Sequence, residues 1–264
     1  MSRLRSLTAG AALVVASTAL AGSKSHDTSH SGGSKGDVHW SYDGETGPAH
    51  WSELSPDFAA CAQGRQQTPV DVNLRYADTV GLEDLVLHYH PSHSSLLNNG
   101  HTVQASLEKG NAVELDGKYY ELLQLHFHSP SEHRLNGKLY PMEMHLVHKD
   151  AEGHLAVVGV LIEEGEATPA FDPVFAEMAI KAGQEKELKG ELDPAALLPA
   201  RHELVRYSGS LTTPPCSEGV RWTLYTEPVT LSAKQIEQFK KLYDHNARPI
   251  QALNGRPLLV DATP

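Results

Sequence analysis

The 264-residue chain is short of cysteine, with two, and of aromatic residues, at 6%. Basic residues are also in deficit: 22 Lys and Arg stand against 33 Asp and Glu, a formal net charge of −11. That acidic balance argues against a nucleic-acid backbone or an anionic membrane as the main partner. No Gly-x-Ser-x-Gly elbow and no phosphate-binding glycine loop occurs, which removes two common enzyme classes. His202-Glu203-Leu204-Val205-Arg206 begins like the zincin His-Glu-x-x-His, but Arg206 takes the place of the second histidine. With 40% apolar and 21% charged residues, wholesale disorder and collagen-like repeats are excluded. What is plentiful is histidine, 16 residues, together with 16 Pro and 21 Gly, the composition of a loop-rich, strand-based chain.

The N-terminus reads as an export signal. Arg3 and Arg5 form a basic start, the stretch Leu7–Leu20 is uncharged, and Ala19-Leu20-Ala21 fits the small-residue cleavage pattern. The apolar run is too short to span a bilayer, which takes about 20 residues. No Cys follows it, so a lipoprotein is not expected. Removing residues 1–21 takes away two Arg and no acid, so the mature charge is 20 − 33 = −13. The expected product is exported to the periplasm, with the extracellular medium as the alternative, and is not membrane-bound after cleavage. Residues 22–37, rich in Gly, Ser and His, read as a flexible linker. Residues 38–264 then form one domain, since no second linker or internal repeat appears. Cys61 and Cys216 are an even pair in an exported chain, and an oxidising compartment favours their disulfide. In the loop-entropy model such a bridge stabilises by about 5 kcal/mol.

Short alternating segments dominate: residues 85–90, 102–107, 112–115, 119–127, 143–148 and 155–162 read as strands. Turn signals punctuate them at Asn98-Asn99-Gly100, Asp116-Gly117, Asn136-Gly137 and Glu152-Gly153. Helices are expected over 169–186, with apolar Phe171, Val174, Phe175 and Met178, and over 232–243, opened by Ser232 as N-cap. The fold class is mostly β with peripheral helices.

Side chains alternate along a strand, so Gln124, His126 and His128 share one face while Leu125 and Phe127 share the other. Glu143, His145 and Val147 share a face in the same way. If the two strands are neighbours, His126, His128 and His145 converge as three neutral nitrogen ligands. That set leaves the fourth tetrahedral position of Zn²⁺ open, as in a catalytic site. Glu143 is placed to accept the free N–H of a ligand imidazole. On spacing alone His133, His148 and His154 compete for the third position, and a lone His-x-His also describes two half-exposed strand histidines.

From about His39 to Arg256 the chain resembles an α-class carbonic anhydrase of the bacterial secreted type. The resemblance rests on His39-Trp40-Ser41-Tyr42, Gly47-Pro48-Ala49-His50-Trp51, Gln66-Gln67-Thr68-Pro69-Val70-Asp71 and Asn98-Asn99-Gly100-His101. It continues in Gln124-Leu125-His126-Phe127-His128, Ser131-Glu132-His133 and Glu143-Met144-His145-Leu146-Val147-His148. Ser210-Leu211-Thr212-Thr213-Pro214-Pro215 and Arg248-Pro249-Ile250-Gln251-Ala252-Leu253-Asn254 complete it.

The resemblance implies a large, twisted, mainly antiparallel ten-stranded sheet with short helices around it. It also implies Zn²⁺ on His126, His128 and His145, and reversible hydration of CO2 to bicarbonate by a zinc-held hydroxide. Thr212 matches the residue that orients the nucleophile and donates to Glu132, and Thr213 would line the bicarbonate position. Val147, Val157, Leu211, Val220 and Trp222 match the apolar wall that holds CO2. His101 matches the proton shuttle, an imidazole with an ordinary pKa near 6.5. Tyr42, Asn99 and Gln104 would hold the water chain leading to it; Gln104 departs from the Asn usual in animal members. The Cys61–Cys216 pair matches the disulfide of bacterial members. Sulfonamides and anions are the inhibitors implied, and a homodimer is one implied assembly. The alternatives are a silent carbonic-anhydrase-like binding module and an exported zinc-binding protein.

Overall fold

A computed structural model describes residues 38–201 and 203–261. The expected signal peptide, 1–21, and linker, 22–37, lie outside the described residues.

One twisted sheet of 12 strands organises the chain. Ten strands follow a continuous path, and Val86–His88 and Ala112–Leu115 branch from it, so the sheet has two strands more than the resemblance implies. The branch arises because Lys118–His128 is 11 residues long and pairs with Ala112–Leu115 along one stretch and with Val103–Leu107 along another. The sheet is mixed: most pairings are antiparallel, but Leu155–Glu164 runs parallel to Glu218–Leu231, and Leu259–Asp261 to Asp78–Val80. A small second sheet joins Asp71–Val72, Arg134–Leu135 and Lys138–Leu139.

The centre of the sheet is Lys118–His128, Met142–Lys149, Leu155–Glu164 and Glu218–Leu231. Residues 156–162 are buried on both sides of the sheet, which is why this strand reads as a near-continuous aliphatic run. One face packs Leu125, Phe127, Met144 and Leu146 against Phe171, Phe175 and Phe239. The other carries a smaller apolar cluster with Val147, Val157, Tyr207 and Trp222. The six strands expected from alternation are present with ends shifted by at most two residues. Asp116-Gly117 and Asn136-Gly137 make their turns with φ of 51°, 69°, 52° and 80°, the left-handed region such pairs adopt.

The expected helix over 169–186 is shorter. Pro169–Phe171 is 3-10, Asp172–Glu177 is α-helical, and Glu185–Glu187 is a strand paired with residues 95–97. Tertiary hydrogen bonding overrides the helical pattern after Met178. Gly183 N–H donates to Asn98 O, Asn98 Nδ2 donates to Ile180 O, and Gly183 turns at φ 79°. The second helix, Ala233–Lys240, begins where expected, with the Ser232 hydroxyl and Gln235 side chain forming a reciprocal cap.

Cys61 and Cys216 are joined by a disulfide that closes a separation of 155 residues. It holds the loop after the 204–210 strand to a short helix near the start of the domain. Replacing both cysteines with Ala should lower the unfolding free energy by about 2–5 kcal/mol. Urea titration of the oxidised protein and the double variant measures the difference.

Candidate metal centre

Antiparallel pairing sets His126 directly opposite His145, and His128 opposite Glu143. Alternation then turns all three imidazoles to one side. Their ring centroids lie 4.6–5.3 Å apart, and one nitrogen of each falls within 4.8 Å of the others. His128 and His145 are buried; His126 is partly exposed.

The outer nitrogen of each ring has an acceptor. His126 Nδ1 lies 2.8 Å from Gln124 Oε1, His128 Nδ1 2.7 Å from Asn246 O, and His145 Nε2 2.8 Å from Glu143 Oε1. A carbonyl or carboxylate oxygen only accepts, so each of these nitrogens carries the proton. The lone pairs left over, on His126 Nε2, His128 Nε2 and His145 Nδ1, face one another. His128 Nε2 is buried without a hydrogen-bond partner, the state expected of a nitrogen whose partner is a cation. Burial, and then the neighbouring imidazoles, holds His126 well below its ordinary pKa; burial also lowers His128. Burial acts downward on His145 too, but Glu143 outweighs it and lifts this imidazole. The residues therefore fit a divalent cation held by three neutral imidazoles.

Glu143 is fully buried and accepts four hydrogen bonds. Oε1 receives His133 Nδ1 at 2.6 Å and His145 Nε2 at 2.8 Å; Oε2 receives the backbone N–H groups of Glu132 and His133. Burial pushes its pKa up, but the two histidines overcome this and keep the carboxyl well below its usual range. His133, one of the open ligand choices, is committed elsewhere: its Nε2 lies 2.6 Å from Tyr207 Oη. His148 points to the opposite face, 2.6 Å from Tyr89 Oη, its pKa lowered by burial to about 4. His154 stands in a surface turn beside Asp150 and Glu152.

Trp222 stands beside the histidine cluster, its ring 4.9 Å from that of His145. Val147, Val157 and Trp222 lie in one cross-strand row, with buried Val220 and partly buried Leu211 in the same cluster. Thr212 is buried and Thr213 half-buried in the loop anchored by Cys216. Glu132 Oε1 accepts from the Arg248 N–H, while Oε2 is buried and unpartnered, 3.6 Å from His128 Nε2. The hydroxyl bond expected from Thr212 to Glu132 is not made in this arrangement.

His101 lies flat on Trp40, ring centroids 3.7 Å apart and planes within 6°. Burial, with a smaller contribution from His39, lowers its pKa to about 4. Asn99 Oδ1 is taken by the N–H groups of His101 and Thr102, so it shapes the turn. Gln104, opposite His126 in register, donates to Ser106 Oγ. Tyr42 is held neutral, its pKa raised mainly by burial and then by Glu132.

Sequence reasoning missed Asn246, which buttresses the centre from 118 residues away in the chain. Its backbone O orients His128, its Oδ1 caps Ser129 N–H, and its Nδ2 reaches the carbonyls of His101 and Phe127. The only signal was its place just before the Arg248-Pro249 motif. Tyr207 and the outer role of His133 were missed as well.

His133→Ala leaves the buried Glu143 carboxylate short of a partner. It should cost about 3 kcal/mol of stability, read by urea unfolding of the metal-free protein.

Residues 46–261 match the family described as eukaryotic-type carbonic anhydrase. A carbonic anhydrase of Pectobacterium carotovorum is 43% identical over 84% of this chain and 91% of its own length. An α-carbonic anhydrase of Thermovibrio ammonificans, solved in complex with the inhibitor sulfanilamide, superposes with a TM-score of 0.83 at 43% identity, covering 85% of this chain and 100% of that one. The Photobacterium profundum α-carbonic anhydrase gives 0.79 at 46%, covering 84% and 100%. With two strands holding three inward histidines and a match across nearly all of the domain, the chain belongs to the α-carbonic anhydrase family.

Proposed function

We propose that this protein catalyses the reversible hydration of CO2 to bicarbonate and a proton, with Zn²⁺ held by His126 Nε2, His128 Nε2 and His145 Nδ1. The observation that carries the reading is the convergence of three neutral imidazole lone pairs, each fixed by an outer acceptor. Zinc so bound supplies a Lewis acid that makes hydroxide available from water near neutral pH. Val147, Val157, Leu211, Val220 and Trp222 keep water off the side where apolar CO2 would sit.

Thr212 has one hydroxyl proton, and we assign as its acceptor Glu132 Oε2, a buried oxygen with no hydrogen-bond partner. With its O–H donated in a hydrogen bond to Glu132, the Thr212 oxygen can only accept, and it would thereby orient the attacking oxygen toward the CO2 carbon. Thr213, the next residue, would contact the bicarbonate formed. Gln124 and Glu143 keep the imidazoles in the required tautomers.

His101 carries the proton outward through water held near Tyr42, Asn99 and Gln104. In its stack on Trp40, with a pKa near 4, the ring is almost entirely neutral at pH 7. It becomes an efficient acceptor on leaving the tryptophan for water, where an imidazole returns to about 6.5. Sulfonamides and simple anions are expected inhibitors, as sulfanilamide is for the Thermovibrio relative. We place the mature protein outside the cytoplasm, the setting in which the Cys61–Cys216 bridge persists. No helix among the described residues is long and apolar enough to cross a membrane.

Stopped-flow CO2 hydration by the oxidised protein, before and after zinc removal and readdition, tests the reading. Rapid, zinc-restorable turnover is expected; one tightly held zinc without turnover would make this a silent binding domain. His101→Ala should cut turnover at low buffer by roughly tenfold or more, with unchanged zinc content and rescue by added imidazole. Full turnover in that variant removes His101 from the mechanism.

A further inference from the structure

Thr212 and Glu132 come from separate segments of the chain, and what ties those segments together is a third residue, the fully buried Thr68. On one side Thr68 grips the end of the 204–210 strand, from which the chain runs on to Thr212. Its N–H donates to Ser210 Oγ at 3.0 Å, and its Oγ1 accepts the Ser210 N–H at 3.0 Å. Cross-strand pairing becomes irregular between Gly209 and Ser210, and Thr68 meets the Ser210 amide at that break. Trp222 Nε1 donates to Ser210 O at 2.9 Å, and Ser210 Oγ donates to the Leu211 carbonyl. The amide, carbonyl and hydroxyl of Ser210 are therefore all committed, two residues before Thr212. Gly209 allows the approach, since a Cβ there would collide with Thr68 Oγ1.

On the other side Thr68 holds the residue that fixes Glu132. Thr68 O accepts Arg248 Nη1 at 2.8 Å, and the Arg248 N–H donates to Glu132 Oε1 at 2.8 Å. Nη2 of the same guanidinium donates to Cys61 O, so Arg248 is anchored twice to the early part of the domain. With Oε1 taken in this way, Oε2 is the oxygen of Glu132 left to receive a donor. Tyr207 Oη, 3.3 Å from Thr68 Oγ1, adds a longer and weaker tie toward His133. The disulfide secures the loop at Cys216; Thr68 secures it at Ser210, nearer in sequence to Thr212.

We propose that Thr68 is a positioning residue that sets Thr212 against Glu132, and with it the direction of attack on CO2, an inference that rests on the hydration activity proposed above. Its hydroxyl and amide hold the entry to the loop, its carbonyl holds Arg248, and it acts only through them.

Thr68→Val keeps the size and β-branching but removes the acceptor of the Ser210 N–H. In the oxidised, zinc-loaded protein it should lower kcat/KM for CO2 hydration by about tenfold, with zinc content unchanged. Thr68→Ser restores the hydroxyl and should restore kcat/KM. Because Thr68 acts through Thr212, adding Thr68→Val to Thr212→Ala should cost little more than Thr212→Ala alone. Apart from activity, hydrogen exchange in the metal-free, oxidised Thr68→Val protein should quicken at the Ser210 amide by about fivefold, measured against the Leu125 amide. Should Thr68→Val fail to fold, Ser210→Ala takes its place: it removes the acceptor of the Thr68 N–H, and exchange is then read at the Thr68 amide. Wild-type kcat/KM in the variant, losses that add fully to those of Thr212→Ala, or unchanged exchange overturns the proposal. No CO2 turnover by the zinc-loaded wild type refutes the hydration activity instead, and exchange alone then decides whether Thr68 holds the loop.

Discussion

A carboxylate shut off from water stays ionised only when its lone pairs are met, and Glu143 meets that condition with four donors. Much of the metal face depends on this arrangement. One donor is His145 itself, so the charge that Glu143 keeps fixes which nitrogen of that ring is bare. Two donors are consecutive backbone amides, which lock the 131–133 corner and with it the position of Glu132. The fourth is His133, tied onward to Tyr207 in the apolar cluster. A single buried charge thus joins an imidazole of the histidine cluster, a candidate acceptor and the wall.

The remaining outer contacts work differently. Gln124 is a neutral amide on the same strand as the ring it holds, and Asn246 offers a backbone carbonyl. The three imidazoles therefore differ in electrostatic surroundings although they share one face. Carboxylate charge acts upward on all three, but only on His145 does it outweigh burial, which keeps the other two down.

Much of this was legible in the sequence because period-two alternation fixes faces. His126 and His128 had to point one way, and Glu143 and His145 together, wherever the strands lay. Which histidine came third was not legible from spacing, since that depends on register, and register is set by partners across the sheet. The resemblance to a family supplied His145, which the register sets opposite His126. Asn246 was invisible for another reason: it acts on His128 through a main-chain oxygen, which any residue would have. The helix over 169–186 was overread because Asn98 and the 94–98 strand claim the backbone after Met178, a tertiary contact that local periodicity does not carry. The strand at 94–98 escaped notice because its adjacent leucines and flanking serines break alternation; those at 204–210 and 218–231 do alternate, through Val205, Tyr207, Val220, Trp222 and Leu224, and were overlooked.

The order of the strands also sets an order of assembly. The three imidazoles and Glu143 all fall within residues 126–145, on neighbouring antiparallel strands whose contacts are close in sequence. Trp222, Thr212 and Cys216 come from much later in the chain, and Trp222 reaches its place through a parallel pairing that must close a long loop. The three imidazoles and Glu143 can therefore come together early, while Asn246, which orients His128, and the Trp222 side of the wall join last. A chain emerging N-terminus first would present its imidazoles to solvent before the residues that shelter them exist.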